Sequence, residues 1–372
     1  MSDAVRIAIV GATTEVASEL IDVLAARGFD LTGLRVLADE SLAGEAIEAA
    51  GWDVRVEPAV AGSLGGVDVA LFLGDGELAR ALVPEAREQG AIVIDASPFS
   101  RDELGAPLVL PEVNAASVKE LAKERVLAIP GPHTAGLAAA LAPLHEAATV
   151  RRVVTTVFES ASLRGREAMD ELSRQSVTLM QGRGIDRRES PEQLAFNARP
   201  QPSSLEGEGW SVDERRLARE ITTLFDAPID VAATVVRIPV FAGTAQAVFV
   251  ELANELTLDE ATKLLREGRG VVLPEPPIGS GDGAETLPDE DDDSAEPDED
   301  EEELDGDEPD LLHDQTPGPV DVNGSEAVHV ARLRTLPRDP RALAFWLAFD
   351  DLRKGLGLTL VATLEIALRE LR

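Results

Sequence analysis

Val5–Val10 reads VRIAIV and runs without a break into Gly11, after which Val16, Leu20, Val23 and Leu24 recur at helical spacing. A β-branched strand that turns through a glycine straight into a helix opens a sheet whose strands are joined by helices lying on its faces. The unit repeats. Leu34–Ala38, Val67–Leu73 and Ala91–Asp95 are short apolar runs, and Glu77–Gln89 between the last two has a helical pattern. Strands covered on both faces are apolar throughout instead of alternating. The first third therefore predicts an α/β fold with a doubly wound parallel sheet.

The middle of the chain changes character. Val150–Phe158 reads as a strand and Arg166–Gln181 as a helix, followed by a second helix at Val212–Leu224. Two long strand runs, Ala232–Phe241 and Ala245–Leu252, precede a helix at Leu258–Glu267. Long strands in succession with helices between them predict a second, α+β domain. Beyond it come a strand at Ala327–Leu333 and helical patterns at Arg341–Lys354, with Trp346 as a packing residue, and at Leu358–Leu371.

Charge is concentrated. The 372 residues include 69 acids against 34 Lys and Arg, a net charge of −35. Nineteen of those acids lie between Asp282 and Asp314 with no Lys or Arg among them, so the rest carries −16. Nucleic acid and anionic membrane surfaces repel such a chain. Residues 279–319 hold too few apolar groups to offset the ordering cost and are expected to form a disordered acidic insert. A basic protein is the partner that such a run suits. Because loop-closure cost grows slowly with length, deleting Gly279–Asp314 is expected to leave Tm within a few degrees. Unfolding of that variant in a thermal melt would show the insert to be a docked element.

The chain has no cysteine, which removes disulfides, thiolate metal sites and any cysteine nucleophile. The four histidines (133, 145, 313 and 329) stand at no ligand-like spacing, so no metal is expected. The first residues, MSDAVRIAIVGATTE, carry no signal-peptide pattern, and no run of 18 apolar residues exists. The expected location is the cytoplasm.

Gly11, Ala12, Thr13 and Val16 lie where a dinucleotide pyrophosphate would meet the free N–H groups of a helix N-terminus. Four later stretches follow in order: LADESLAGEAI (37–47), DASPFSRDELGAPLVLPEVN (95–114), RIPVFAGTAQAVFVEL (237–252) and FDDLRKGLG (349–357). Together they resemble the aspartate-semialdehyde dehydrogenase family over the whole chain apart from the acidic insert. The resemblance implies a Rossmann-like nucleotide domain (1–134 plus 355–372) and a dimerisation and substrate-type domain (135–354). It also implies a homodimer, and NADP-dependent reductive dephosphorylation of aspartyl phosphate through a cysteine thioester.

The departures are as specific as the matches. The family's Asn-Pro-Asn-Cys-Ser-Thr falls on Ile129–Thr134, placing Pro132 where the cysteine belongs. The general-base histidine falls on Thr244, and the nicotinamide-side Gln and Ser-Gly fall on Glu159 and Ser162-Leu163. Thr14 and Ala17 replace two glycines of the nucleotide turn, and Asp39, Glu40 and Glu45 stand in the loop that elsewhere holds the 2′-phosphate. Asp39 also follows the second strand, where an acid holds the ribose diol of NAD. Arg237, Glu214 and Arg216 fall on the family's substrate-type anion pocket. His133, beside Pro132, has no acid or serine partner in the sequence and reads as a turn residue before a helix at Ala135–Leu141.

These residues predict a non-catalytic homologue, similar to the degenerate Usg-type paralogues, acting as a dimeric structural or regulatory protein or in a heteromer. The alternative is an NAD(P)-dependent oxidoreductase of amino acid biosynthesis with altered chemistry.

Overall fold

The computed structural model describes residues 5–74, 76–118, 125–188, 190–200, 203–274 and 316–371. Most of the expected acidic insert therefore lies outside the described residues.

The first sheet has seven strands in the order β3-β4-β2-β1-β5-β6-β7. They span Ile7–Val10 (β1), Arg35–Ala38 (β2), Ala46–Ala49 (β3), Trp52–Pro58 (β4), Val69–Phe72 (β5), Ile92–Asp95 (β6) and Val126–Ala128 (β7). All neighbours are parallel except the β3–β4 hairpin, which is an antiparallel edge the sequence pattern did not signal. Helix Thr14–Ala26 and the carboxy-terminal helix Leu358–Leu371 cover one face through Leu20, Ile21, Leu24, Leu360 and Leu364. Helix Glu77–Glu88 covers the other through Ala79, Leu82, Val83 and Ala86. With both faces covered, β1 and β5 have no exposed position.

The second sheet has the order β12-β13-β14-β11-β8-β10-β9. Its long members are Val150–Glu159 (β8), Asp230–Arg237 (β10), Thr244–Leu252 (β11), Val328–Leu336 (β13) and Asp339–Phe349 (β14). Short edges are Arg199–Pro200 (β9) and Val271–Val272 (β12). One face packs on helices Pro132–Ala148, Val212–Phe225 and Leu258–Glu267. At the centre of this core Gly136 lies flush on Phe349, where an added Cβ would stand 2.3 Å from the ring.

Three expectations are corrected. Residues 341–349 are a strand, not a helix, and Trp346 lies within it. Leu343, Phe345, Leu347 and Phe349 face the helices while Ala344, Trp346 and Ala348 face the other way, so almost every position is apolar and the two periodicities cannot be separated. The β10 strand stops at Arg237, short of the expected Phe241, because Pro239 has no N–H for the ladder. Residues 316–319 belong to the packed structure: Trp346 Nε1 donates to the Pro317 carbonyl at 2.8 Å, and the Pro319 carbonyl lies so close to Gly243 that no Cβ fits between them.

Candidate functional site

Helix Pro132–Ala148 begins at the carboxyl end of the first sheet, with Gly131 as its cap residue. Pro132 fits this first turn because its fixed φ suits a helix start and its missing N–H is not needed there. The turn is tied down from two sides. Gly131 N donates to Glu220 Oε2 at 3.0 Å, and Gln246 Nε2 donates to the His133 carbonyl at 2.8 Å. Arg101, itself buried, bonds both Glu220 (3.0 Å) and the Ile129 carbonyl (2.9 Å).

In front of Pro132 lies a cavity of about 150 Å³ lined by His133, Glu159, Leu163, Arg164, Asp213 and Arg216 among others. That is below the roughly 300 Å³ at which sites for drug-sized ligands begin. Arg164 forms part of the cavity's wall. Its Nε meets Glu159 Oε1 at 2.9 Å and its Nη2 meets Asp213 Oδ2 at 2.7 Å. Burial works against the charge of Arg164, but the two carboxylates together hold its pKa above the usual guanidinium value. Burial likewise opposes the charge of Asp213, and Arg164 overrides it, drawing that carboxyl below its usual range.

Glu159, only 1% exposed, is the hub. It ends β8 directly beside Arg237 at the end of β10, a cross-strand pair with 3.8 Å between charged atoms. His133 Nε2 is 3.4 Å from its other oxygen. The sequence shows no acid near His133; the structure supplies one across 26 positions and places His133 inside the helix, which starts at Pro132 and not at Ala135. Arg164 and Asp213 went unnoticed in the sequence; the nearest signal was the intruding Leu163 after Ser162, the residue before Arg164.

The anion-pocket residues do not converge. Glu214 closes a capping box, accepting from Ser211 N at 2.8 Å and from Val235 N at 3.0 Å, so both oxygens serve the backbone. Arg216 lines the cavity, 3.7 Å from Asp213. Arg237 lies between Glu159 and Glu192, and burial, reinforced by Arg164 and Arg199, lowers its pKa.

Thr244 donates to Asp351 Oδ2 at 3.0 Å, in a buried knot with Ser160 and Ser162, each 2.9 Å from the same carboxylate. Burial pushes the Asp351 carboxyl above its usual range although three hydroxyls favour the ionised form. A folded-state value raised above the unfolded one means stability is lost as pH climbs through the interval between them. Asp351→Asn, which cannot ionise, is therefore expected to gain stability relative to the parent as pH rises above about 4, the ordinary carboxylate value. A pH-independent difference in urea unfolding free energies would contradict this.

The nucleotide turn fits a phosphate poorly. Gly11, at φ +80°, is required because a Cβ would meet the Leu73 carbonyl at 2.6 Å, a packing demand independent of any ligand. Ala12 is buried between this turn and the helix, and Thr13 caps the helix at Val16 N (3.4 Å). Glu15 in that first turn bonds Arg166 at 2.7 Å, so a carboxylate already stands at the positive helix end. The loop after β2 is turned on itself, Asp39 accepting from Ser41 N at 3.0 Å. A 2′-phosphate there would face Asp39 and Glu40 without a cation of that loop beside it. The residues present do not suit NADP.

Residues 6–121 match the model for the semialdehyde dehydrogenase NAD binding domain, and residues 141–354 match its dimerisation domain. An aspartate-semialdehyde dehydrogenase of Bacillus subtilis is 30% identical over 95% of each chain, and one of Aquifex aeolicus is 28% identical over 98% of each. The crystal structure of aspartate semialdehyde dehydrogenase II from Vibrio cholerae superimposes with a TM-score of 0.83 at 29% identity over 98% of both chains. With both domain models matched in order, and relatives aligned from end to end, the chain belongs to the aspartate-semialdehyde dehydrogenase family.

Proposed function

We propose that this chain is a non-catalytic member of the family, similar to the Usg-type paralogues, acting in the cytoplasm as a dimeric structural or regulatory protein. One observation carries the reading: Arg164, clamped between Glu159 and Asp213, stands in the wall of the small cavity in front of Pro132, its guanidinium already held by two carboxylates. A proline ring offers no thiolate for an acyl intermediate, and Thr244 spends its proton on Asp351. The chain divides into residues 1–134 with 355–372 as the nucleotide-type unit and 135–354 as the dimerisation unit. The second sheet's uncovered face joins two copies.

Purified protein is expected to give no phosphate-dependent reduction of NADP with aspartate semialdehyde, and no heat of NADP binding by calorimetry. Turnover that survives removal of host enzyme would overturn the proposal. The reading as an altered oxidoreductase rests on the His133–Glu159 contact, an acid–base pair in the cavity. Saturable binding of NAD in the same titration would favour it. Light scattering at micromolar concentration is expected to give a dimer.

A further inference from the structure

Asn323-Gly324 is the chain's only Asn-Gly pair. Such a pair carries its own reaction. The backbone nitrogen of the second residue can close a five-membered ring on the side-chain amide of the first, and glycine has no Cβ to hinder the approach. In that step the bond from Gly324 N to Asn323 Cγ forms and the Cγ–Nδ2 bond breaks. Nδ2 leaves as ammonia, taking the proton that Gly324 N gives up. Water then opens the ring at either carbonyl. One product is aspartate; the other is isoaspartate, in which the main chain runs through Cβ and is longer by one carbon.

The fold holds the pair away from the reactive geometry. The 3-10 turn Val320–Val322 leads to Asn323 at φ −61°, ψ 132° and Gly324 at φ +79°, and Ser325 N donates to the Val322 carbonyl at 3.0 Å. This is a type II turn, with glycine where a positive φ is required. Gly324 N donates to Asp350 Oδ2 at 2.7 Å, while Asp350 Oδ1 accepts from Leu352 N (3.0 Å) and Arg353 N (2.8 Å). Ring closure needs Gly324 N to eclipse Cβ about the Asn323 Cα–C bond. At ψ 132° it stands far from eclipsed, so the 323–324 peptide must swing round, breaking its bond to Asp350 and the turn. Before the turn, Val322 is buried against Ala245 and Ala348, and Trp346 Nε1 holds the Pro317 carbonyl at 2.8 Å. Residues 317–323 thus lie as a strap on the second sheet. Asn323 and Gly324 themselves are exposed, so water reaches both. None of these residues lines the cavity in front of Pro132.

We propose that Asn323-Gly324 is a self-deamidation site gated by the strap: Asp350 and the buried Val322 hold it unreacted, and opening of the strap commits it to a step that is not reversed. Aspartate places a new carboxylate beside Asp350, with Asp321 and Glu326 two and three residues away. Isoaspartate lengthens the chain by about 1.5 Å between Val322 and Gly324, so Val322 and the bond to Asp350 can no longer be seated together. Either product leaves the strap unable to close as before, and the end of the sheet around Phe158 and Trp346 stays open.

The test is peptide mapping by mass spectrometry of the full chain kept in warm, mildly alkaline buffer, folded and in urea. Conversion at Asn323 is expected to run at least about tenfold slower in the folded chain than in urea. Asp350→Ala, and separately Val322→Ala, are expected to speed it at least about threefold in the folded protein, and Asn323→Gln to block it. Val322→Ala leaves Asp350 in place, so it still decides the matter if Asp350→Ala unfolds. Hydrogen exchange of the 318–323 amides is expected to be faster in Asn323→Asp than in the parent. Equal rates in the folded and unfolded chain, no conversion in urea, or a rate unmoved by both variants would overturn the gated site. Unchanged exchange in Asn323→Asp would overturn the release of the strap.

Discussion

Glu159→Ala is expected to lower the unfolding free energy by about 3–5 kcal/mol, the cost of breaking a buried ion pair from one side. The carboxylate accepts two bonds from Arg164 and stands within ion-pair reach of His133 and Arg237. Its removal leaves the Arg164 and Arg237 guanidinium groups without the carboxylate they share at a mostly buried site. Glu159→Gln keeps the shape and an acceptor and should cost clearly less. The decisive comparison is Glu159→Ala in an Arg164→Ala background, where the loss should shrink by at least about 1.5 kcal/mol. Additive losses in urea unfolding would show that the pair is not the coupled unit described above.

Pro132→Cys with Thr244→His is expected to remain at least about 10⁴-fold below an active relative in kcat/KM, although it restores both reacting groups. Three obstacles survive the pair of changes. Arg164 still narrows the cavity, Asp351 still competes for whatever stands at position 244, and the loop after β2 still presents acids to a phosphate. Adding Arg164→Ala and Glu159→Gln should raise the rate at which iodoacetamide labels the introduced thiol, because access improves before turnover does. Activity within about tenfold of a relative from the first pair alone would show that the nucleotide site works as it stands.

How much of this was legible in the sequence depends on how local the information is. The first sheet was readable because each strand is a short apolar run ending at a glycine or a helix start, as in Val5–Gly11. The helix Leu258–Glu267 was placed to the residue, its Thr257–Glu260 capping box marking the start. Residues 341–349 were misread because a strand buried on one face and lined with alanine on the other offers no polar positions to set the period. The candidate site divides in the same way. Pro132 and Thr244 could be assigned from aligned motifs. The Glu159–His133 and Arg164–Asp213 contacts join residues 26 and 49 positions apart, and they exist only because the end of β8, the turn after it and the starts of two helices meet at one corner. Glu214 shows the opposite failure. Its place in a motif suggested a ligand, while the capping box formed with Ser211 uses its side chain for the backbone.

Gly136 has a consequence for how the family can vary. A glycine in mid-helix ordinarily weakens the helix by up to about 1 kcal/mol, yet here the missing methyl group is the hollow that receives the Phe349 ring. Helix and strand therefore share one volume between two positions 213 residues apart in the chain. A relative that gains a side chain at the first position must give up bulk at the second, or else push the helix away from the sheet and carry Pro132 and His133 with it. The two positions amount to a single inherited character, and a chain assembled from halves of different relatives will fail first at this seam.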